Sequence, residues 1–246
     1  DIALANKETM VVAGGYVTGL LAASPSRVYP VDSEHSAIYQ CLRGEDKDAV
    51  KRLIITASGG PFRTWSKERI DKATAADALR HPNWHMGAKI TIDSATMVNK
   101  AFEIIEARWL FGIEPRRISA IVHPQSIIHS MVEFRDGAIK AQMGVPEMTL
   151  PIAYALGETT RMPDVSDFCS LALHNSLTFE EPDRERFPAI GLAHIALERG
   201  GNVACAVNAA NEIAVAAFLR GETGFSDIYR IIMGTVERTV YIADPG

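Results

Sequence analysis

Hydrophobic positions recur with two different periods along this chain, and the alternation between them predicts its architecture. "TMVVAGGYVTGLLAA" reads as a helix weakened by glycines, or as a helix followed by a loop. "SRVYPV" predicts a short strand that delivers the chain to Asp32. Behind Ser33, the apolar residues Ala37, Ile38, Cys41 and Leu42 fall at i, i+1, i+4 and i+5, the spacing of one buried helix face. "KRLIITAS" predicts a buried strand, and "GGPFR" a Gly/Pro loop after it. "KITIDSAT" predicts another strand, ending at Asp93-Ser94. "TMVNKAFEIIEARWLFG" predicts a strong amphipathic helix, with Met97, Ala101, Ile104, Ile105, Ala107 and Leu110 inward and Gly112 as its stop.

The second half begins with a strand, "ISAIVH". "SIIHSMVEFRDGAIKAQMGV" predicts a hairpin on an Asp136-Gly137 turn, whose second arm sets Ile139, Ala141 and Met143 against Lys140 and Gln142. "MTLPIAYALG" predicts a shorter helix. Strands mixed with helices indicate an α/β or α+β domain with a mixed sheet over residues 1–157. From 158 to 184 Pro, Asp, Ser and Thr dissolve the pattern, as in a linker extended along a surface. Three helical segments over 185–246, punctuated by Gly200-Gly201 and Gly221, read as a small all-α bundle.

Composition narrows the function classes. The 246 residues suffice for one large domain or two small ones, and 47% hydrophobic with 22% charged residues suits a soluble globular protein. A net charge of −5 argues against a large nucleic-acid footprint, so an anionic small molecule would need a local cluster of cations. No apolar run approaches the roughly 18 residues of a membrane span, and no secretory signal is visible. Cys41, Cys169 and Cys205 are far apart and odd in number, which suggests reduced thiols and a cytoplasmic setting. The chain opens on "DIALANKE" without Met and closes on "YIADPG" just past a helical pattern, as a fragment of a longer protein would; a mature processed chain is the alternative.

"PVDSEH" places Asp32, Ser33, Glu34 and His35 before a helix. One polar side chain suffices to cap it, a contribution of about 1 kcal/mol, and Ser33 alone would serve. The helix around Asn99 adds a second possibility. Asn99 and Glu103 share a face with Lys100 beside them, and Glu103 lies among apolar neighbours while Glu106 reads as the solvated acid. A carboxylate so placed needs a partner, either Lys100 at i−3 or a metal shared with Asp32 and Glu34. Three carboxylates about 4 Å apart repel by roughly 4 kcal/mol per pair at an effective dielectric of about 20, and a dication would offset that. An all-oxygen set suits Mg²⁺ or Mn²⁺ better than Zn²⁺.

Four polar segments could bind phosphate: Ser58 before two glycines in "TASGGPFR"; Ser94, Asn99 and Lys100 in "DSATMVNK"; Lys7 in "ANKE"; and His81. Each alone is weak, since a Gly-rich turn is usually only a turn. Together, at strand ends and helix starts, they mark where α/β domains bind ligands. In "HPNWHMG", His81 and His85 have a spacing that suits Zn²⁺ on a helix, but Pro82 and Gly87 favour a loop. That loop, with Trp84 and Met86, reads either as a lid over substrate or as a plain surface loop. "NAANE" (Asn208, Asn211, Glu212) reads as structural hydrogen bonding within an Ala-rich helix, and His123 and His129 are as consistent with structure as with function. No GxGxxG stands at a strand–helix junction, so a complete dinucleotide-binding domain is not expected here.

"LANKE", "PVDSEH", "SGGPFR", "HPNWHMG", "IDSATMVNKAFEIIEA", "HPQSIIHSMVEF" and "NAANEIAV" together resemble the 1-deoxy-D-xylulose 5-phosphate reductoisomerase family over essentially the whole chain. The resemblance implies conversion of 1-deoxy-D-xylulose 5-phosphate to 2-C-methyl-D-erythritol 4-phosphate in the non-mevalonate isoprenoid route, by a retro-aldol/aldol rearrangement and reduction. It implies NADPH and a divalent cation, Mg²⁺ or Mn²⁺ with Co²⁺ as a third option. It implies a homodimer with no nucleic-acid or membrane partner, in the cytosol of a bacterium or the plastid of a plant or alga.

Residues 1–32 would be the end of an NADPH-binding domain, 33–157 the catalytic domain, 158–184 a linker and 185–246 a truncated C-terminal helical domain. By motif, Asp32, Glu34 and Glu103 would bind metal. Ser58, Ser94, Asn99 and Lys100 would grip the phosphate with His81 nearby, and Lys7 and Ser33 would meet the sugar. Lys7, Glu34 and Glu103 would be catalytic. Asn6, Glu8, Gly87 and Met148 would lie along the cofactor, and Trp84 and Met86 would belong to a flap. The missing front end puts solo activity in question. A non-catalytic phosphate-binding or dimerisation module and a Mg²⁺-dependent phosphosugar aldolase are the competing readings.

Overall fold

The computed structural model describes residues 1–84 and 86–245. His85, one half of the paired-histidine zinc reading, lies outside them. Two short parallel strands, β1 (Ile2–Leu4) and β2 (Val28–Pro30), flank helix α1 (Lys7–Ala22). Asn6 caps α1 by accepting the Thr9 N–H, and the helix kinks at Ala13, just before its first two glycines. Helix α2 (Ser33–Leu42) follows β2 and leads to β3 (Val50–Ala57). Two single-turn helices, α3 (Lys67–Ile70) and α4 (Ala75–Ala78), precede α5 (Ala88–Thr96) and α6 (Val98–Phe111).

The main sheet has the order β4-β3-β5-β6, with β4 at Ile118–Val122, β5 at Ile128–Phe134 and β6 at Ile139–Met143. β3 pairs parallel with β4 and antiparallel with β5, and β5 pairs antiparallel with β6. The sheet is therefore mixed, with a hairpin at one edge, and a helical part follows it. Helix α7 (Thr149–Leu156) leads into a segment tied to β4 by a bridge between Val122 and Glu180. The chain ends in α8 (Leu192–Arg199), α9 (Val203–Leu219) and α10 (Phe225–Arg238), with Gly200, Gly201 and Gly221 at positive φ between them.

Three sequence expectations change. Residues 89–96 form helix α5, not a strand. The alternation of β-branched residues there is overridden by burial on several faces (Thr91, Ile92, Asp93, Ala95 and Thr96), and Thr91 and Thr96 turn their hydroxyls back onto the Gly87 and Ile92 carbonyls. Glu106 is not solvated: it is 1% exposed, because α6 is packed on nearly all sides by the sheet, α1 and α8. The alternation on β6 does not bury its apolar side: the edge strand is exposed on both faces, with Ile139 54% and Met143 37% exposed.

One hydrophobic core runs from β3 and α6 into the C-terminal helices, joining Phe62 to Phe225 edge-to-face at 4.9 Å between ring centres. This continuity holds α5 and α6 between the sheet and the bundle. Two left-handed backbone positions finish the placement. Met97 (φ 66°) ends α5 and starts α6, so that the two helices meet at a sharp corner. Gly60 (φ 67°) lets the loop after β3 approach α5 closely, where a Cβ would lie 3.0 Å from the Ser94 carbonyl oxygen.

Candidate active site

The loop after β3, the corner between α5 and α6, the start of α2 and the flap enclose a cavity of about 340 Å³. Asp32 and Glu34 line its acidic floor, and Glu103 is fully buried beside them. Asp32, Glu34 and Glu103 each offer a carboxylate oxygen, and these oxygens lie within 4.8 Å of one another. Asp32 occupies the N-cap position of α2 but makes no capping bond, and Ser33 Oγ is spent on Glu34 Oε2 at 2.7 Å. The plain-cap reading of "DSE" therefore fails locally: none of these side chains caps the helix.

Two buried lysines cross the carboxylates. Lys7 Nζ, brought in by the first turn of α1, lies 2.5 Å from Asp32 Oδ2 and 3.4 Å from Glu103 Oε1, and donates to Asn99 Oδ1 at 2.8 Å. Lys100 Nζ donates to Glu34 Oε1 at 2.8 Å, to the Thr56 carbonyl at 2.7 Å and to Glu103 Oε2. Asn99 Nδ2 donates to Glu103 Oε1, as their shared helix face predicts. Burial would raise the Glu34 carboxyl, but the Lys100 and Lys7 charges overcome it and hold it well below the usual range. Glu103 goes the other way, pushed up to about 8 by burial and then by the Glu34 charge. Charge balance explains the split: two ammonium groups match Asp32 and Glu34, and Glu103 is the unmatched third.

The opposite wall carries hydroxyls. His81 Nε2 lies 3.0 Å from Ser58 Oγ and 3.1 Å from Ser94 Oγ. Its Nδ1 accepts the backbone N–H groups of Asn83 and Trp84 at 3.2 and 2.9 Å, so the ring proton sits on Nε2. Ser58 Oγ also accepts the Gly60 N–H at 3.2 Å, which leaves its own proton to face the cavity. Burial, and then the Lys100 charge, lower the His81 pKa from 6.5 to about 4. The unfolded chain takes up this proton first, so stability falls as pH drops from 6.5 towards 4 and is unaffected by this ring at higher pH. The ¹H–¹⁵N spectrum of this ring at pH 6 is expected to show the neutral Nε2–H tautomer; an imidazolium pattern at that pH would contradict the geometry.

Trp84 and Met86 line the cavity, and Asn83 Nδ2 pins the flap base to the Pro124 carbonyl and Ser126 Oγ at 2.7 and 2.8 Å. Met148 lines the outer end. Asn6, Glu8 and Gly87 do not face the cavity: Asn6 caps α1, Glu8 pairs with Lys89, and Gly87 is the N-cap of α5. Lys100 and Asn99 reach the carboxylates and not the Ser58–His81–Ser94 group.

One histidine that the sequence left open between structure and function gains a place, and one buried pair escapes the sequence reading. His129, burial-lowered in pKa, faces the cavity near Trp84 at 6.4 Å between ring centres. Beneath the floor, His35 Nε2 donates to the Glu103 carbonyl at 2.9 Å and its Nδ1 lies 3.4 Å from Glu106 Oε2. Burial pushes Glu106 up to about 7, against the pull of His35. The available signal was spacing: His35 follows Asp32, and Glu106 follows Glu103, by three residues on a helix. Asp32, His35 and Glu106 also bring ligand atoms within 4.8 Å, but His35 and Glu106 are closed into the core. The all-oxygen trio has Asp32 and Glu34 on the cavity wall, so it is the one fitted to a hard dication.

Fold and cavity together define an α/β domain whose cavity is lined by carboxylates on one side and by the hydroxyls of Ser58 and Ser94 on another. Two family profiles match the chain: "1-deoxy-D-xylulose 5-phosphate reductoisomerase C-terminal domain" over residues 28–111 and "DXP reductoisomerase C-terminal domain" over residues 143–244. The chain belongs to the 1-deoxy-D-xylulose 5-phosphate reductoisomerase family. It is 53% identical over 244 residues to the reductoisomerase of Bacteroides thetaiotaomicron, covering 99% of this chain and 63% of that protein. The solved reductoisomerase of Zymomonas mobilis in complex with NADPH superposes with a TM-score of 0.93 at 46% identity, over 99% of this chain and 63% of that one. A reductoisomerase solved with NADPH, fosmidomycin and magnesium gives a TM-score of 0.92 at 41% identity, over 96% of this chain and 60% of that one. The chain thus spans about 63% of the length of the relatives it matches.

Proposed function

We propose that this chain is the metal- and substrate-binding part of an enzyme that isomerises and reduces 1-deoxy-D-xylulose 5-phosphate to 2-C-methyl-D-erythritol 4-phosphate with NADPH and Mg²⁺ or Mn²⁺. The observation that carries the reading is the convergence of Asp32, Glu34 and the buried Glu103 at a cavity that Ser58, His81 and Ser94 also line. The three carboxylates would hold the cation, and the raised Glu103 carboxyl is the group a dication would ionise. When bound, that cation supplies Lewis-acid polarisation of the sugar's carbonyl and neighbouring hydroxyl oxygens.

This chain's own residues do the rest. Ser58 and Ser94 donate hydroxyl protons, and His81 its Nε2–H, to the phosphate. Binding energy at that remote group orients the reacting carbons. Asn99 and Lys100 bridge from the floor towards the same ligand, and Lys7 and Ser33 meet the sugar oxygens. Trp84 and Met86 exclude water from the reacting centre. Met148, on the cavity lining, and Asn6, Glu8 and Gly87, outside it, are assigned to the nicotinamide cofactor.

Residues 1–32, 33–157, 158–184 and 185–246 are read as cofactor-domain end, catalytic domain, linker and helical domain. A homodimer is supported by exposed apolar residues on β6, on α7 (Leu156, 66%) and on the following segment (Phe168, 89%; Leu173, 81%). No helix of the described residues is long and apolar enough to cross a membrane. Relatives from bacteria support a cytosolic site and lend nothing to a plastid.

Calorimetric titration of this chain tests the reading. One Mn²⁺ per chain is expected, and a phosphonate–hydroxamate is expected to bind at least ~10-fold tighter, about 1.4 kcal/mol, once Mn²⁺ is present. Equal phosphonate affinity with and without metal would favour the non-catalytic phosphate module instead. The same sample, sedimented, is expected to be dimeric; a monomer at the calorimetric concentration would remove the dimer from the proposal.

A further inference from the structure

Four side chains meet at the start of α5, behind the cavity wall. Lys89 Nζ lies 2.8 Å from Asp93 Oδ2, 3.1 Å from Glu8 Oε1 of α1 and 3.0 Å from Glu212 Oε1 of α9. Asp93 is 2% exposed, and its Oδ1 accepts from Asn211 Nδ2 of α9 at 2.8 Å. A buried aspartate needs a cation and a donor, and Lys89 with Asn211 supplies both. Glu8 and Glu212 are therefore surplus to the neutralisation of Asp93. Three carboxylates around one ammonium repel one another, so without Lys89 they would swing apart. Their convergence ties α1, α5 and α9 at one point.

That point is one peptide bond from the cavity in three directions. Glu8 follows Lys7, Lys89 precedes Ile90 and Asp93 precedes Ser94, and Lys7, Ile90 and Ser94 all line the cavity. Gly87, two residues before Lys89, is the N-cap of α5, directly after the cavity-lining Met86. A strut at Lys89 thus holds the lysine of the floor, a hydroxyl of the phosphate wall and the root of the flap at fixed mutual distances. The "NAANE" segment, unexplained by the cavity itself, supplies the strut's anchor on the bundle.

We propose that Lys89 is a positioning residue that joins α1, α5 and α9 from behind the cavity, keeping Lys7, Ile90 and Ser94 in the spacing a phosphosugar requires and making the C-terminal bundle part of the site's scaffold through Glu212. The proposal rests on the functional reading above for the identity of the ligand. It touches neither the metal carboxylates nor the ligand directly, and this separates its signature from theirs.

The test is calorimetry on this chain with Mn²⁺ alone, and with a phosphonate–hydroxamate at saturating Mn²⁺, for the unsubstituted protein, Lys89→Met, Lys89→Arg and Glu212→Gln. Mn²⁺ affinity is expected to stay within about twofold throughout, while the phosphonate weakens ~10-fold in Lys89→Met and about threefold in Glu212→Gln, and Lys89→Arg recovers most of the loss. Phosphonate affinity of Lys89→Met within twofold of the unsubstituted chain overturns the proposal. So do parallel losses of metal and phosphonate, which mark general damage to the fold. Should Lys89→Met fail to fold, Glu212→Gln decides, because that carboxylate is 49% exposed and Asp93 keeps its partners; an unchanged phosphonate affinity there overturns the coupling. An unsubstituted chain that binds neither Mn²⁺ nor phosphonate overturns the functional reading and the strut together, whereas normal binding beside an unaltered Lys89→Met overturns the strut alone.

Discussion

Glu103→Gln is expected to weaken Mn²⁺ binding by roughly 100-fold or more and to lower the melting temperature of the metal-free chain. Glu103 is fully buried, and both its oxygens accept from donors, Oε1 from Asn99 and Oε2 from Lys100. An amide turns its –NH₂ towards one of those donors, at a cost of about 1–3 kcal/mol. Burial with the neighbouring Glu34 charge pushes the carboxyl up to about 8, and a dication needs the ionised form. At about 4 Å and an effective dielectric of about 20, one unit charge is worth roughly 4 kcal/mol to a monovalent partner, and losing most of that exceeds two decades of affinity. The sign of the pH effect follows. Since the proton must leave, Mn²⁺ affinity should rise with pH up to about 8 and flatten beyond it. Titration in buffers of different ionisation enthalpy should detect a proton released at pH 7. Binding within threefold of the unsubstituted chain, or no proton release, would remove Glu103 from the metal site.

Lys100→Met carries the largest expected effect on stability. Lys100 is 4% exposed and its ammonium is shared by Glu34, Glu103 and the Thr56 carbonyl. Methionine fills the space but leaves Glu34 buried against its neighbours with one cation fewer. Breaking a buried pair this way costs about 3–5 kcal/mol. In a chain of this size that lowers the melting temperature by roughly 10 °C. Mn²⁺ should restore part of the loss, since it binds the folded state and returns positive charge to the same carboxylates. Thermal unfolding followed by circular dichroism, with and without Mn²⁺, checks both parts. A drop below about 3 °C would mean that Glu34 is adequately matched by Lys7 alone.

The elements that follow local rules were legible. Helix α6 has a clear apolar face and a glycine stop at Gly112, and it forms where that pattern predicts. The β5–β6 hairpin turns at Asp136-Gly137. The segment 89–96 was misread because Ile90, Thr91 and Ile92 favour strands, whereas the fold needs a helix that reaches from the flap to the left-handed corner at Met97. Glu106 was misread because helical periodicity marks one buried face, and α6 is buried on several.

The site divides in the same way. That Asp32 and Glu34 exceed the needs of a helix cap, and that Glu103 needs a partner, follows from residue types and spacing alone. So does the pairing of Asn99 with Glu103, because one helical turn brings them together. The chain by itself therefore determined which carboxylates need partners, through local periodicity and the electrostatic cost of crowded carboxylates. Only the tertiary structure decided how they are shared. It placed both lysines among the carboxylates, left the serines to His81, turned Glu106 onto His35, and set Lys89 between Glu8, Asp93 and Glu212. Those partners lie far apart along the chain, and a buried charge takes its partner from whatever the packing brings near, which no local pattern records.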